Sequence, residues 1–319
     1  MSDYIAWLDR VSGASTLTVG GKGASLARLG EAGFPVPPGF GLTVDAYRHF
    51  AEALALHELL PPLMAVEGRP TMAIIREACA PIVERLDGAG LPPAVEAALC
   101  DAYAELEERA GPGATFAVRS SGVSEDGAAA SFAGLYESYL NLRGPEAITK
   151  AVRDCYACLW EPRAAHYRTI KGVDHSKEAM GVVVMQTVRS HVSGVAFSLN
   201  PVTGATDEVL INASWGLGEA IVSGLVTPDN YITAKDGAIR QQDIYEKSIR
   251  IVPVVGGTEK QDTPAALVNV SSLTEAQISE VGRTTAAVES HYGCPMDIEF
   301  AYDVEGRFYL LQARPITTR

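Results

Sequence analysis

The sequence predicts an α+β protein of two lobes, on three observations. Apolar spacing is mostly helical over the first 110 residues, and strand-like runs dominate from about residue 180. The 319 residues also exceed the roughly 250–300 at which a single hydrophobic core stops growing. A chain 47% hydrophobic and 20% charged has enough apolar material to build such cores, which argues against disorder or a fibrous repeat.

Each element follows from local pattern. Ser25-Leu26-Ala27-Arg28-Leu29 has helical apolar spacing, and Gly33 stands where a helix C-cap belongs. Phe34-Pro35-Val36-Pro37-Pro38-Gly39-Phe40 is barred from helix by its prolines and predicts an extended connection. Residues 44–60 and 94–110 read as helices. Gly111-Pro112-Gly113 breaks the second before a short strand, Phe116-Ala117-Val118. Gly181-Val182-Val183-Val184-Met185 is a continuous β-branched run, as a buried strand requires. Further strands are expected at residues 195–199, 209–212 and 231–233, a helix at 273–291, and a hairpin of 298–302 with 308–311 around Val304-Glu305-Gly306. The expected division is a helix-rich lobe, residues 1–185, and a strand-rich lobe, residues 186–319.

Composition narrows function. A formal charge of −13 offers no basic face for nucleic acid. No run approaches the ~18 apolar residues of a membrane span, and the start lacks a signal peptide's pattern, so a cytoplasmic protein is expected. Five scattered cysteines read as reduced, with Cys155 and Cys158 on a packed helix face rather than in a redox or zinc site.

Five segments could carry chemistry. Gly20-Gly21-Lys22-Gly23 precedes a helix, so glycines permit close backbone approach and the helix start offers N–H groups beside a lysine; a flexible turn is the plainer reading. Ala117-Val118-Arg119-Ser120-Ser121 ends a strand in an arginine suited to phosphate or carboxylate oxygens. Residues 124–138, rich in small residues, could close over phosphates or be a surface loop. Trp215-Gly216-Leu217-Gly218-Glu219 is a glycine-rich bend carrying one carboxylate, which could meet a metal, a ribose or an arginine, or cap a helix. In the terminal hairpin, alternation puts Asp297 with Glu299, and Gln312 with Arg314, on one face each. A symmetric register then opposes Asp303 to Phe308, Glu299 to Gln312 and Asp297 to Arg314. Oxygens so gathered suit Mg²⁺. A bulge would shift this register.

Taken together and in order, these segments resemble the N-terminal ATP-binding domain of the pyruvate phosphate dikinase and phosphoenolpyruvate synthase family, which rifampicin phosphotransferase and the phenylphosphate synthases also carry. The resemblance further uses Ser131-Phe132-Ala133-Gly134, Gly194-Val195-Ala196-Phe197-Ser198 with Asn200-Pro201, and Leu311-Gln312-Ala313-Arg314-Pro315-Ile316-Thr317. It implies an ATP-grasp fold with the nucleotide cleft between two lobes. It also implies ATP and Mg²⁺ as cofactors. Lys22 and Arg119 become phosphate-binding cations, and with Arg314 they are the candidate catalytic residues. Gly134 and Ser138 belong to the phosphate loop, and Glu219 and Asp297 are site carboxylates. Glu299 and Gln312 become metal ligands, and Arg314 contacts phosphate. Met185-Gln186 would meet adenine; family members often have two glutamines there, so which residue makes the contact stays open.

The implied reaction passes the β-phosphoryl group of ATP to a histidine and releases AMP and phosphate. The family's Thr-Ser-His motif does not occur here, and His191, in an expected connecting loop, is a poor substitute. The expected partner is therefore a subunit or domain carrying the accepting histidine, as in the phenylphosphate synthases, with no nucleic acid or membrane involved. Two alternatives remain at this point, a non-catalytic ATP-sensing module and an ATP-grasp ligase making ADP. The final acceptor, whether phenol, pyruvate or an antibiotic, is open.

Overall fold

The run Gly181-Val182-Val183-Val184-Met185 becomes the middle strand of a five-stranded antiparallel sheet in the computed structural model, which describes residues 4–10, 14–124, 136–254 and 256–316. A strand paired on both edges and covered by helices has no exposed face, hence its unbroken apolar sequence.

The chain divides into two units. The first comprises Met1–Glu31 and Pro38–Thr187. Its strands are β1 (Ile5–Trp7), β2 (Gly39–Leu42), β3 (Phe116–Gly122), β4 (Ser138–Leu142) and β5 (Met180–Gln186), in the order β1-β2-β5-β3-β4. Its helices are α1 (Thr16–Glu31), α2 (Val44–Ala53), α3 (Pro61–Met64), α4 (Met72–Leu86), α5 (Pro93–Ala110), α6 (Pro145–Cys158) and α7 (Pro162–Lys171). Helix α1 lies on β3 and β5. Tyr47 and Phe50 of α2 each set their rings 5.2 Å from Tyr156 of α6, joining two helices in one core.

Two expectations need correction here. The helix expected over 44–60 ends at Ala53, because Ala55 turns left-handed (φ 49°) before a short 3₁₀ turn at Leu56–Leu59. The strand at Phe116 continues to Gly122, so Arg119, Ser120 and Ser121 lie within it. Cys155 and Cys158 are buried thiols on α6, packed as the helical pattern implied.

The second unit comprises Ala32–Pro37 and Val188–Arg319. Its elements are β6 (Ser190–Phe197), β7 (Glu208–Trp215), α8 (Glu219–Val222), β8 (Asp229–Ala234), β9 (Ile239–Asp243), β10 (Ile249–Val254), β11 (Gly257–Asp262), α9 (Glu275–Tyr292), β12 (Met296–Asp303) and β13 (Phe308–Pro315). Six of the strands form one sheet, β13-β12-β6-β7-β8-β9, and β10 pairs with β11 alone. The proline segment does run extended: Leu310 N–H donates to Pro35 O (2.8 Å) on the outer side of β13. Pro35 and Pro37 have no N–H of their own, so this edge offers few donors to a foreign strand.

One face of this sheet is closed by α9, which contacts β6, β7, β8 and β12. Ile298, Phe300, Ile211 and Tyr231 point into it and are fully buried. The opposite face is more open: β8 alternates buried and half-buried residues along its whole length. Helix α9 is started by a capping box, Thr274 with Gln277, and ended by left-handed Gly293. His191, expected in a loop, lies within β6, its ring 5.1 Å from that of Trp215. Among the described residues, no helix is long and apolar enough to cross a membrane.

Candidate functional site

The candidate residues fall into two clusters, one in each unit. In the first unit, α1 is interrupted at Gly20 (φ 73°, ψ 177°), so a new helical segment begins just before Lys22. The cause is a close approach of backbones. A Cβ at Gly20 would stand 1.7 Å from Ser121 O, and one at Gly181 would stand 2.4 Å from Val19 O. Ser121 then stitches the break. Its hydroxyl donates to Val19 O (2.8 Å) and accepts from Gly23 N–H (3.0 Å), serving as a cap supplied by β3. Ser120 donates to Glu137 O (2.8 Å) and so fixes the start of β4. The hydroxyls that drew notice in the sequence therefore hold backbone.

What this frame presents is Lys22, whose Nζ donates to Ser120 O (3.0 Å), at the N-terminal end of the resumed helix. Arg119 is half-buried on β3, opposite Val183 on one side and Ser138 on the other. Ser138 is the exposed first residue of β4. Gly134, with the rest of residues 125–135, lies outside the described residues. At the end of β5, Met185 is buried, and Gly39 beside it leaves room where a Cβ would come within 2.8 Å of the Met185 Cβ. Gln186 is half-buried and held by its N–H to Pro38 O (2.8 Å).

In the second unit, β12 and β13 pair Asp297 with Arg314 and Glu299 with Gln312. The expected pairing of Asp303 with Phe308 is wrong, since Phe308 lies opposite Tyr302. The turn is tighter at its closing pair, where Asp303 accepts N–H bonds from Glu305 and Arg307 at its side chain (2.9 Å each). A register shift between Glu299 and Phe300 makes Leu311 the extra residue of a bulge and returns the strands to the expected pairing. Two departures cancel, and the candidate pairs stand opposite each other.

Arg314 donates to one carboxylate oxygen of Asp297 from both Nε (2.8 Å) and Nη2 (2.7 Å). Asp297 is nine-tenths buried, whereas Arg314 is 42% exposed. Burial raises the Asp297 carboxyl above its usual range, Arg314 opposes the rise and Glu299 adds to it. Glu299 is half-buried and Gln312 buried at 7% exposure. Both offer hard oxygens. No group of three or more His, Cys, Asp or Glu among the described residues could hold a metal unaided. A carboxylate facing an amide oxygen suits Mg²⁺, which keeps waters and takes substrate phosphates to complete its shell.

Glu219 comes from a different element of the same unit. It opens α8 after β7 ends at Trp215, is exposed, and accepts from Thr258 Oγ1 (3.0 Å). Gly216 (φ 81°) makes this bend possible, with its N–H on His191 O (2.8 Å) and Leu217 N–H on Ile251 O (2.9 Å). Gly218 lies over Ser193, which pairs with Ala301, two residues beyond Glu299 on the same face.

Sequence reading missed two buried charged groups. Lys247 and Asp229 form a fully buried ion pair (2.6 Å), and Asp229 also takes N–H bonds from Tyr245 (3.0 Å) and Ser272 (2.8 Å). Arg168 and Glu178 are buried in the first unit. Three of these four have other charged residues close by in sequence, as surface segments do, so no spacing announced their burial.

With this geometry in view, comparison with known proteins gives a consistent result. Residues 16–319 match the model of the pyruvate phosphate dikinase AMP/ATP-binding domain. The probable phosphoenolpyruvate synthase of Methanocaldococcus jannaschii is 40% identical over 99% of this chain and 27% of its own length. The phosphoenolpyruvate synthase of Pyrococcus furiosus is 38% identical over 99% of this chain and 44% of its own. The chain thus spans less than half of these relatives. Among solved structures, D-alanyl-alanine synthetase A from Vibrio cholerae matches 85% of this chain and 55% of its own at 12% identity, with a TM-score of 0.28, too low to argue from.

Proposed function

Because this chain belongs to the pyruvate phosphate dikinase AMP/ATP-binding domain family, we propose that it is the nucleotide-using part of a dikinase-type phosphotransferase of ATP-grasp type. ATP, a histidine and water become phosphohistidine, AMP and phosphate. The histidine comes from a domain or polypeptide outside these residues, since the sequence holds no Thr-Ser-His motif. Phosphoryl transfer asks little covalent chemistry of a protein. It asks for positioned positive charge.

Lys22 and Arg119 supply that charge from the first unit, and Arg314 from the second. Asp297 keeps Arg314 oriented through its two N–H bonds. Glu299 and Gln312 would hold Mg²⁺, which when bound neutralises phosphate oxygens. Gln186, more open than Met185, is the better candidate to meet adenine. Glu219, carried by the bend after β7, suits the sugar end of the nucleotide.

The observation that carries this reading is the facing of Glu299 with Gln312 and Asp297 with Arg314 across one strand pair. The test is incubation with β-labelled ATP and Mg²⁺, with and without the histidine-bearing remainder of a phosphoenolpyruvate synthase. Label on the added histidine, with AMP released only in its presence, is expected. ADP as the product would point to a ligase, and tight ATP binding without turnover to a sensor; either result overturns the proposal.

A further inference from the structure

Away from the two clusters, the first unit buries a cation that its neighbours only partly satisfy. Arg168 of α7 has no exposed surface. Its Nε donates to His175 Nδ1 (3.2 Å), and its Cζ lies 5.4 Å from the centre of the Trp160 ring. Both Nη atoms lack hydrogen-bond partners among the described residues. Glu178, 7% exposed, follows His175 by three residues, its N–H on His175 O (3.4 Å): one carboxylate oxygen takes the Ser124 hydroxyl, and Oε2 is buried with no partner among the described residues.

The protonation states follow from the hydrogen bonds. His175 Nδ1 accepts from Arg168, so it carries no proton. Nε2–H then donates to Thr169 Oγ1 (3.0 Å), whose own O–H donates to Ala165 O (3.0 Å). Burial and Arg168 together push the His175 pKa down to about 4, which agrees with a neutral ring. The buried charges are therefore one guanidinium and one carboxylate, which sum to zero; the exposed Asp174, which also acts on His175 and Glu178, is paired with Lys177 (3.5 Å). Burial raises the Glu178 pKa, opposed by the Ser124 hydroxyl and Arg168; burial also raises that of Tyr47, opposed by Trp160 and Arg168, with Glu178 adding to the rise. Tyr47 OH accepts from Trp160 Nε1 (2.8 Å), which leaves its own proton available.

A gap between donors with no acceptor and an acceptor with no donor, neutral in sum, calls for a neutral group that both donates and accepts. We infer that ordered water bridges Arg168 Nη to Glu178 Oε2, completing a buried, water-mediated ion pair. The bridge ties α7 to the chain entering β5. Through Ser124 it also ties both to the end of β3, the strand that carries Arg119. An anion such as chloride is disfavoured because it would leave the cluster net negative.

A crystal structure of the full chain at about 2 Å or better tests this. A water within about 2.7–3.2 Å of both an Arg168 Nη and Glu178 Oε2 is expected. Direct contact between the two residues without water, or an anomalous peak at the guanidinium after a bromide soak, overturns the inference. Thermal unfolding of Arg168→Met, Glu178→Leu and the double variant gives a second reading. The double variant should lose less than about half the summed loss of the two singles. If either single fails to fold while the double folds, the coupling stands. Additive losses refute it.

Discussion

Around Lys22 the motif residues turn their polar atoms toward backbone, whereas around Glu299 they face one another across two strands. Gly20, Ser120 and Ser121 all act on the chain's own path, and Lys22 is the one side chain of that group with chemistry to offer. In the hairpin, Asp297, Glu299, Gln312 and Arg314 are set by register alone, while Ile298 and Phe300 on the other face carry the packing against α9. A motif can therefore mark a site in two ways, by building the ground a catalytic group stands on or by being the catalytic group. Substitutions should separate the two: stability should respond around Lys22, and turnover around Glu299.

The largest effect is expected at Gly20. Gly20→Ala adds a left-handed alanine whose Cβ would lie 1.7 Å from Ser121 O, against backbone that cannot give. The variant should not accumulate in a folded form at 37 °C, as measured by circular dichroism and soluble yield. If Gly20→Ala folds with an unchanged melting temperature and loses only ATP binding, the glycine serves the ligand rather than the frame, and the contrast is lost.

Next comes Glu299→Gln. The amide keeps size and half-buried position while removing the charge opposite Gln312. Phosphohistidine formation with an added histidine domain should fall by about 10²–10³, with the melting temperature unmoved. A variant retaining full activity would remove Glu299 from the metal pair. One losing stability as much as Gly20→Ala would make the hairpin cluster structural too.

How much of this was legible in the sequence differs between the regions for the same physical reason. Alternation in β12 and β13 is a local property, so the faces of Asp297, Glu299, Gln312 and Arg314 could be read directly. The register survived only because the bulge at Leu311 compensates for the misjudged turn at Asp303. Lys22 could be noticed, but not why its glycines and Ser121 are there. That contact joins residues about a hundred positions apart and leaves no local trace. The end of α2 at Ala53 was invisible because nothing in Ala53-Leu54-Ala55 breaks a helix by propensity. Arg168 and Glu178 were invisible because a charge's burial depends on packing of α4, α6 and α7, not on its neighbours in sequence.

The smallest effect concerns acid, and it sharpens the comparison at a residue with no part in the chemistry. His175 is held neutral by burial and by Arg168, with Asp174 pulling weakly the other way, so its pKa drops from 6.5 to about 4. The unfolded chain therefore takes up a proton below about pH 6.5 that the folded chain refuses until about pH 4. Stability must fall as pH falls through that window and is fully present above it. Asp297 and Glu178 have raised pKa values and act with the opposite sign, since the folded state holds their protons more readily. Subtracting the profile of His175→Gln from that of the parent isolates the histidine. The difference should rise with pH between about 4 and 6.5 and be flat above, read as urea midpoints across a pH series. Turnover per folded molecule should follow the same pH curve in both proteins, because His175 supports the first unit's frame and touches none of the candidate phosphate or metal groups. A flat difference would show that the folded ring takes up its proton at the same pH as the unfolded one, and a changed turnover profile would carry the Arg168 network into the reaction itself.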